Sequence, residues 1–272
     1  MVEVIGSSRE RVRRRAATRF AVAALTAVLL PAIAEAAAPV VVIDAGHGGG
    51  ATGTRTPTGI PEKTIVLGVA RHAKRYLESK GVRVVMTRTT DVNVGLSRRA
   101  SLANDVGATA FVSIHANYAP VPQRRGCETY VLSAEASDED ASALLHLEEG
   151  GEEEGRFLNE ESFGGGNTAG GDVDFILADL ARSVAHRESA RLAKRIQDQL
   201  GRVGGLRPSR GLRQAPFKVL KRSRMAAALV ELGYLSNAKQ GSYLATARGQ
   251  KAAGRALGAG IVKYVRALDG RR

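Results

Sequence analysis

Two histidines follow short β-branched runs: His47 lies just past Val41-Val42-Ile43-Asp44, and His115 directly follows Phe111-Val112-Ser113-Ile114. In α/β sheets the carboxyl ends of parallel strands share one edge, where ligands and catalytic groups collect. The two imidazoles are therefore expected to converge. Glu62 opens the helix after the first glycine-rich loop and can direct a carboxylate to the same edge. Two His and one Glu with an open fourth position form a common catalytic zinc set, which lowers the pKa of a water from about 15.7 to about 7 and polarises a carbonyl. Amide hydrolysis also needs a group that takes the water's proton and returns it to the leaving nitrogen. Glu231, at the end of the buried run Ala227-Ala228-Leu229-Val230, can do both. The spacing from His47 through Glu62 to His115 is too long for a compact metal motif, and a lone histidine after a strand is more often a loop or core residue than a ligand.

The elements that must position these residues read as an α/β domain with a mainly parallel sheet. Residues 40–44 form a β-branched strand that runs into Gly46-His47-Gly48-Gly49-Gly50. Ile65, Val66, Val69, Ala70, Ala73, Tyr76 and Leu77 recur at helical spacing, and Gly81 supplies the stop. Residues 82–87 alternate as a strand, 96–106 form a helix and 109–114 a buried strand. A fourth strand spans 126–132, and Cys127 within it reads as a small buried side chain rather than a nucleophile. From 133 to 174 the composition changes: Glu148-Glu149-Gly150-Gly151-Glu152-Glu153-Glu154 is acidic, Gly164-Gly165-Gly166 is flexible, and the segment reads as an insertion. An amphipathic helix over 175–200 is expected to bury Leu177, Leu180, Val184, Ala190, Ala193, Ile196 and Leu200. Strands over 217–220 and 227–232 and a helix over 250–268 complete six strands.

The 272 residues, 44% of them hydrophobic, suffice for one enzyme-sized domain, placed at 39–270. Residues 1–38 read as a secretory signal and short leader. An arginine-rich opening (Arg9, Arg11, Arg13, Arg14, Arg15, Arg19) enters an apolar stretch too short to span a bilayer, and Ala34-Glu35-Ala36 fits a small-x-small cleavage pattern. An exported protein with no stable membrane span is expected, by either the general secretory or the twin-arginine route. The net charge of +13 suits anionic envelope polymers; with no Trp and no recognisable nucleic-acid motif, nucleic acid is not expected as a partner. The single cysteine excludes an intramolecular disulfide.

Several motifs occur together in order: Val42-Ile43-Asp44-Ala45-Gly46-His47-Gly48-Gly49, Glu62-Lys63, Thr87-Arg88, Ser113-Ile114-His115-Ala116-Asn117, Gln214-Ala215-Pro216-Phe217-Lys218-Val219-Leu220 and Val230-Glu231-Leu232-Gly233-Tyr234-Leu235-Ser236-Asn237. In these the chain resembles the zinc-dependent N-acetylmuramoyl-L-alanine amidases that split septal peptidoglycan, over nearly all of residues 40–268. The resemblance implies a mixed six-stranded sheet flanked by helices and one Zn2+ held by His47, Glu62 and His115. It makes Glu231 the catalytic carboxylate, with Asp44 and Asn117 as supporting or structural residues. The substrate it implies is peptidoglycan, cut between N-acetylmuramic acid and L-alanine in the periplasm or cell envelope.

In some relatives of that family an inserted helix blocks the zinc with its own glutamate until an activator protein removes it. The acidic insertion lies at the corresponding place, so Glu148 or Glu149, on a short helix from about residue 141, is the expected occupant of the open position. The competing readings are a zinc peptidase acting on stem peptides and a wall-binding module without catalysis.

Overall fold

The computed structural model describes residues 38–150 and 172–270. The expected signal and leader lie outside the described residues except for residue 38, as do residues 151–171 of the insertion. The elements run β1 (Val40–Ala45), α1 (Glu62–Glu78), β2 (Arg83–Met86), α2 (Leu96–Asp105), β3 (Ala110–Asn117), β4 (Cys127–Leu132), α3 (Glu139–Gly150), α4 (Asp172–Leu200), β5 (Ser209–Ala215), α5 (Lys218–Lys221), β6 (Ala226–Tyr234), α6 (Ala238–Ala245) and α7 (Ala247–Asp269).

The six strands form one sheet in the order β2-β1-β3-β6-β4-β5, parallel throughout except where β4 runs antiparallel to β6. This is the expected mixed α/β sheet. Strands β1, β3 and β6 are buried on both faces, which explains their near-continuous runs of Val, Ile and Ala. Side chains alternate between the faces. Val41, Ile43, Val112, Ile114, Ala228 and Val230 join one core cluster with residues of α1, α4 and α7. Val42, Phe111, Tyr130 and Leu229 join a smaller cluster with residues of α2, α3 and α5. By the same alternation Asp44, Ser113, His115, Glu128 and Glu231 belong to the second face.

Four expectations about elements are corrected. The strand expected at 217–220 is the short helix α5, and the fifth strand lies earlier, at Ser209–Ala215. That strand is the sheet edge and is largely polar and part-exposed, so it carries no apolar run to read. Burial of Phe217, Val219 and Leu220 satisfies a helical turn as well as a strand. Strand β3 continues through His115 to Asn117, and β6 continues to Tyr234, so His115 and Glu231 lie within strands rather than at their ends. On α4 only the C-terminal part is covered as expected: Ala193, Ile196 and Leu200 are buried, Ala190 is part-buried, and Leu180 and Val184 are exposed, while the side chain of Leu177 lies outside the described residues. Helix α4 begins at Asp172 rather than at 175, inside the span expected for the insertion, whereas the short helix expected from about residue 141 is present as α3, Glu139–Gly150. The sequence also left α6 unread; its N-cap Asn237 accepts from Gln240 N.

Candidate metal centre at the carboxyl edge of the sheet

His47 is presented by a turn rather than by a strand. Its φ of 55° lies in the left-handed region, which costs a non-glycine residue roughly 1–2 kcal/mol. Two arginines fix that turn from outside. Arg99, fully buried on α2, donates to Asp44 Oδ1, to Ala45 O and to His47 O at 2.8, 2.8 and 2.9 Å. Arg88 donates to Ala45 O, Gly46 O and Lys63 O at 2.9, 2.7 and 2.9 Å. Charge-assisted bonds of this kind exceed the local strain.

His115 projects from β3 against Gly46, where a Cβ would stand 2.4 Å from the imidazole. Glu62, the first residue of α1, reaches over the edge: Oε1 accepts from Ala116 N at 2.9 Å and Oε2 from Thr54 N at 3.1 Å. Gly53, at φ +63°, leaves room for it, since a Cβ there would lie 2.5 Å from Glu62 Oε2 and 2.7 Å from His47 Cδ2.

These three side chains meet, and Glu148 of α3 joins them. His47 Nε2 is 3.1 Å from Glu62 Oε1 and 3.2 Å from Glu148 Oε2; His115 Nδ1 is 3.4 Å from Glu62 Oε1 and 2.6 Å from Glu148 Oε2. All four residues are buried. Close as they are, His47 Nε2, His115 Nδ1 and Glu148 Oε2 make no hydrogen bond of acceptable geometry. Donor atoms that converge without pairing fit a shared cation, for which ligand atoms about 2.0–2.2 Å from one ion would stand roughly 3.3–3.6 Å apart in a tetrahedron. The electrostatics agree. Burial alone would lower both histidines, yet Glu62 and Glu148 outweigh it and raise His47 to about 11 and His115 to about 9. The pocket favours positive charge.

Glu231 pairs with His115 on one side and with Glu128 on the other across the sheet. It is fully buried and neither carboxylate oxygen has a hydrogen bond. Burial, then the charges of Glu148, Glu62 and Glu128, push its pKa well above the usual carboxylate range. Asp44 does not touch an imidazole; it accepts from Thr87 Oγ1, Arg99 NH1 and Ser113 Oγ. Asn117 donates to Glu128 Oε1 at 2.9 Å. Of the two candidate glutamates on α3 only Glu148 enters the cluster, while Glu149 accepts from Lys218 N at 2.6 Å. Cys127 is buried, and burial raises its thiol to about 11, as befits an inert core side chain.

Two contributors escaped the sequence reading. Arg99 lies among Ala100 and Ala103 on the buried side of α2, where a cation demands partners. Glu128 shares the face of Tyr130 in a buried strand and accepts from Asn117, Tyr130, Tyr234 and Arg210, with Arg213 Nε 3.0 Å away. A charge inside a strand that is otherwise buried was the signal available for it.

Fold and site together define a class: α/β proteins whose parallel strands hold, at their carboxyl edge, a buried set of two His and two Glu able to bind one metal ion. Residues 41–263 match the family model described as N-acetylmuramoyl-L-alanine amidase. The chain belongs to that family. It is 32% identical over 228 residues to the N-acetylmuramoyl-L-alanine amidase AmiC of Neisseria meningitidis, covering 84% of this chain and 53% of that protein. It is 29% identical over 240 residues to AmiA of Escherichia coli, covering 86% and 78%. Among solved structures it is similar to the amidase AmiC2 of Nostoc punctiforme, with a TM-score of 0.61 and 28% identity, covering 84% of this chain and 97% of that one. The chain thus spans about half the length of the Neisseria meningitidis protein, and 52% of the AmiC of Escherichia coli, to which it is 30% identical over 228 residues.

Proposed function

We propose that this chain is a zinc-dependent hydrolase that cleaves the amide between N-acetylmuramic acid and L-alanine in peptidoglycan, in cell-wall remodelling or daughter-cell separation. The observation that carries the reading is the convergence of His47, Glu62, His115 and Glu148 on one buried point beside Glu231, within a chain of this family.

His47, Glu62 and His115 would hold the ion. When bound, Zn2+ supplies a Lewis acid for the scissile carbonyl and a water of lowered pKa. The two imidazoles are neutral donors in that role, and Glu62 is oriented by its bonds from the Ala116 and Thr54 amides. Glu231 takes the water's proton and delivers it to the leaving nitrogen. Its raised pKa suits that double task, because a base works best when its pKa approaches the working pH.

Glu148 stands where a water or substrate oxygen must come, so the chain is read as autoinhibited. Helix α3 occupies the fourth position until something moves the insertion, and an activator protein acting on residues 133–174 is the partner this implies. Residues 1–38 are read as signal and leader, residues 39–270 as the catalytic domain, and the place of action as the periplasm or cell envelope. No helix of the described residues is long and apolar enough to cross a membrane.

Metal analysis and mass spectrometry of digested muropeptides test the reaction. Glu231→Gln is expected to keep one zinc and lose about 10²–10⁴-fold in turnover; full activity in that variant, or products cut elsewhere in the stem peptide, would reject the assignment. Deleting residues 140–172 is expected to raise basal activity severalfold, and an unchanged rate in a folded deletion rejects autoinhibition.

A further inference from the structure

Helix α3 is held mainly by charge. Of its apolar residues only Ala141 and Leu144 are buried, and Leu147 is exposed. At its C-terminal end stand Glu148 and Glu149. At the other end three arginines from outside the helix grip two aspartates. Arg124 NH1 donates to Asp140 Oδ1 at 2.5 Å, Arg210 NH2 to Asp140 Oδ2 at 3.1 Å, and Arg213 NH1 to Asp138.

We propose that Arg124, Arg210 and Arg213 form a carboxylate-binding subsite for the stem peptide, which Asp138 and Asp140 occupy in its place while α3 is docked. The proposal rests on the amidase reading above. Its ground is the layout of the sheet. His115, Glu231, Glu128 and Gly211 are successive partners across β3, β6, β4 and β5. Arg210 flanks Gly211, Arg213 lies two residues further along β5, and both reach Glu128 Oε2 from there. With strands about 4.8 Å apart, β5 lies roughly 10 Å from Glu231. An extended peptide advances about 3.3–3.6 Å per residue. A chain leaving the scissile bond along this row therefore brings its second or third residue to the arginines. Helix α3 follows the same path: Asp140 and Glu148 are eight positions apart, about 12 Å at 1.5 Å per residue. Helix and peptide would fill one groove, with acids at matching places, and guanidinium groups suit carboxylates at both.

The test uses the full metal-loaded chain. Asp138→Asn/Asp140→Asn frees the arginines without emptying a buried site. Calorimetry then compares two synthetic L-alanyl peptides, one with free carboxylates at its second and third residues and one with these groups amidated. The double variant is expected to bind the free acid about tenfold more tightly than the amide, and wild type to show much less difference because its own aspartates compete. Adding Arg124→Gln, at a side chain about a third exposed, should bring the ratio below about threefold, and Arg124→Lys should restore part of it. Equal binding of both peptides by the double variant, no binding of either, or a ratio indifferent to Arg124→Gln overturns the subsite. Turnover on the matching muramoyl-peptides is measured alongside, in the double variant that also carries Glu148→Ala so that the fourth position is open. Cleavage of both with no preference rejects the subsite alone, whereas acid-selective binding without cleavage rejects the reaction and leaves the subsite standing.

Discussion

The two faces of the sheet are built for different tasks. Under α1, α4 and α7 the strands present Ile43, Ile114, Ala228 and Val230 to a continuous apolar core that includes Ile65, Ile196, Leu257 and Ile261. Under α2, α3 and α5 the same strands present Asp44, Ser113, His115, Glu128 and Glu231, all buried and interleaved with a thinner apolar cluster. One-residue alternation therefore divides a single strand between stability and chemistry. Ionisable groups are tolerated on the second face because Arg99, Arg210 and Arg213 neutralise it from neighbouring elements.

The largest effect that separates the faces is expected at Ile196, fully buried in the apolar core. Ile196→Ala should cost about 2–5 kcal/mol of stability, measured by denaturant unfolding. The metal affinity of the folded fraction should stay within about twofold, and a larger loss would mean that the faces are coupled. Gly53→Ala tests the reverse. A Cβ there meets Glu62 and His47 at a backbone angle that suits glycine, so metal affinity should fall about 10–100-fold in a chelator competition, with stability lowered by only about 1–2 kcal/mol.

The smallest effect concerns acid. Burial raises the Asp44 carboxyl, but Arg99, Thr87 and Ser113 together outweigh it and hold the pKa below the ordinary 3.8. A depressed folded pKa contributes stability above the unfolded value, and this contribution is lost as the pH falls through the folded one. Acid unfolding below pH about 3.8 should accordingly become shallower in Asp44→Asn, followed by circular dichroism; an unaltered acid limb would place the sensitivity elsewhere.

The sequence announced the first face better than the second. Runs such as Val40–Ala45 and Ala226–Tyr234 advertise themselves because burial on both sides leaves no polar gaps. Helix α1 was legible for the same reason, its apolar positions recurring at helical spacing. The edge strand Ser209–Ala215 was not, because its stability comes from backbone pairing with β4 and its side chains mostly meet water or ions. Of the site, His47, Glu62, His115 and Glu231 could be named from the ends of apolar runs and a helix start, although His115 and Glu231 lie within their strands. The distances from which they act could not. Arg99 serves Asp44 and His47 from more than fifty positions away, and Glu128 is satisfied by Arg210 from eighty-two away. Such partnerships leave no local periodicity to read.

The left-handed turn at His47 has a consequence for how an ion would arrive. Its carbonyls are already taken by Arg88 and Arg99, so the loop's shape is set by internal cations and not by coordination. Loading would then proceed without a disorder-to-order step, and residues 45–47 should remain slow in amide hydrogen exchange after the metal is stripped away.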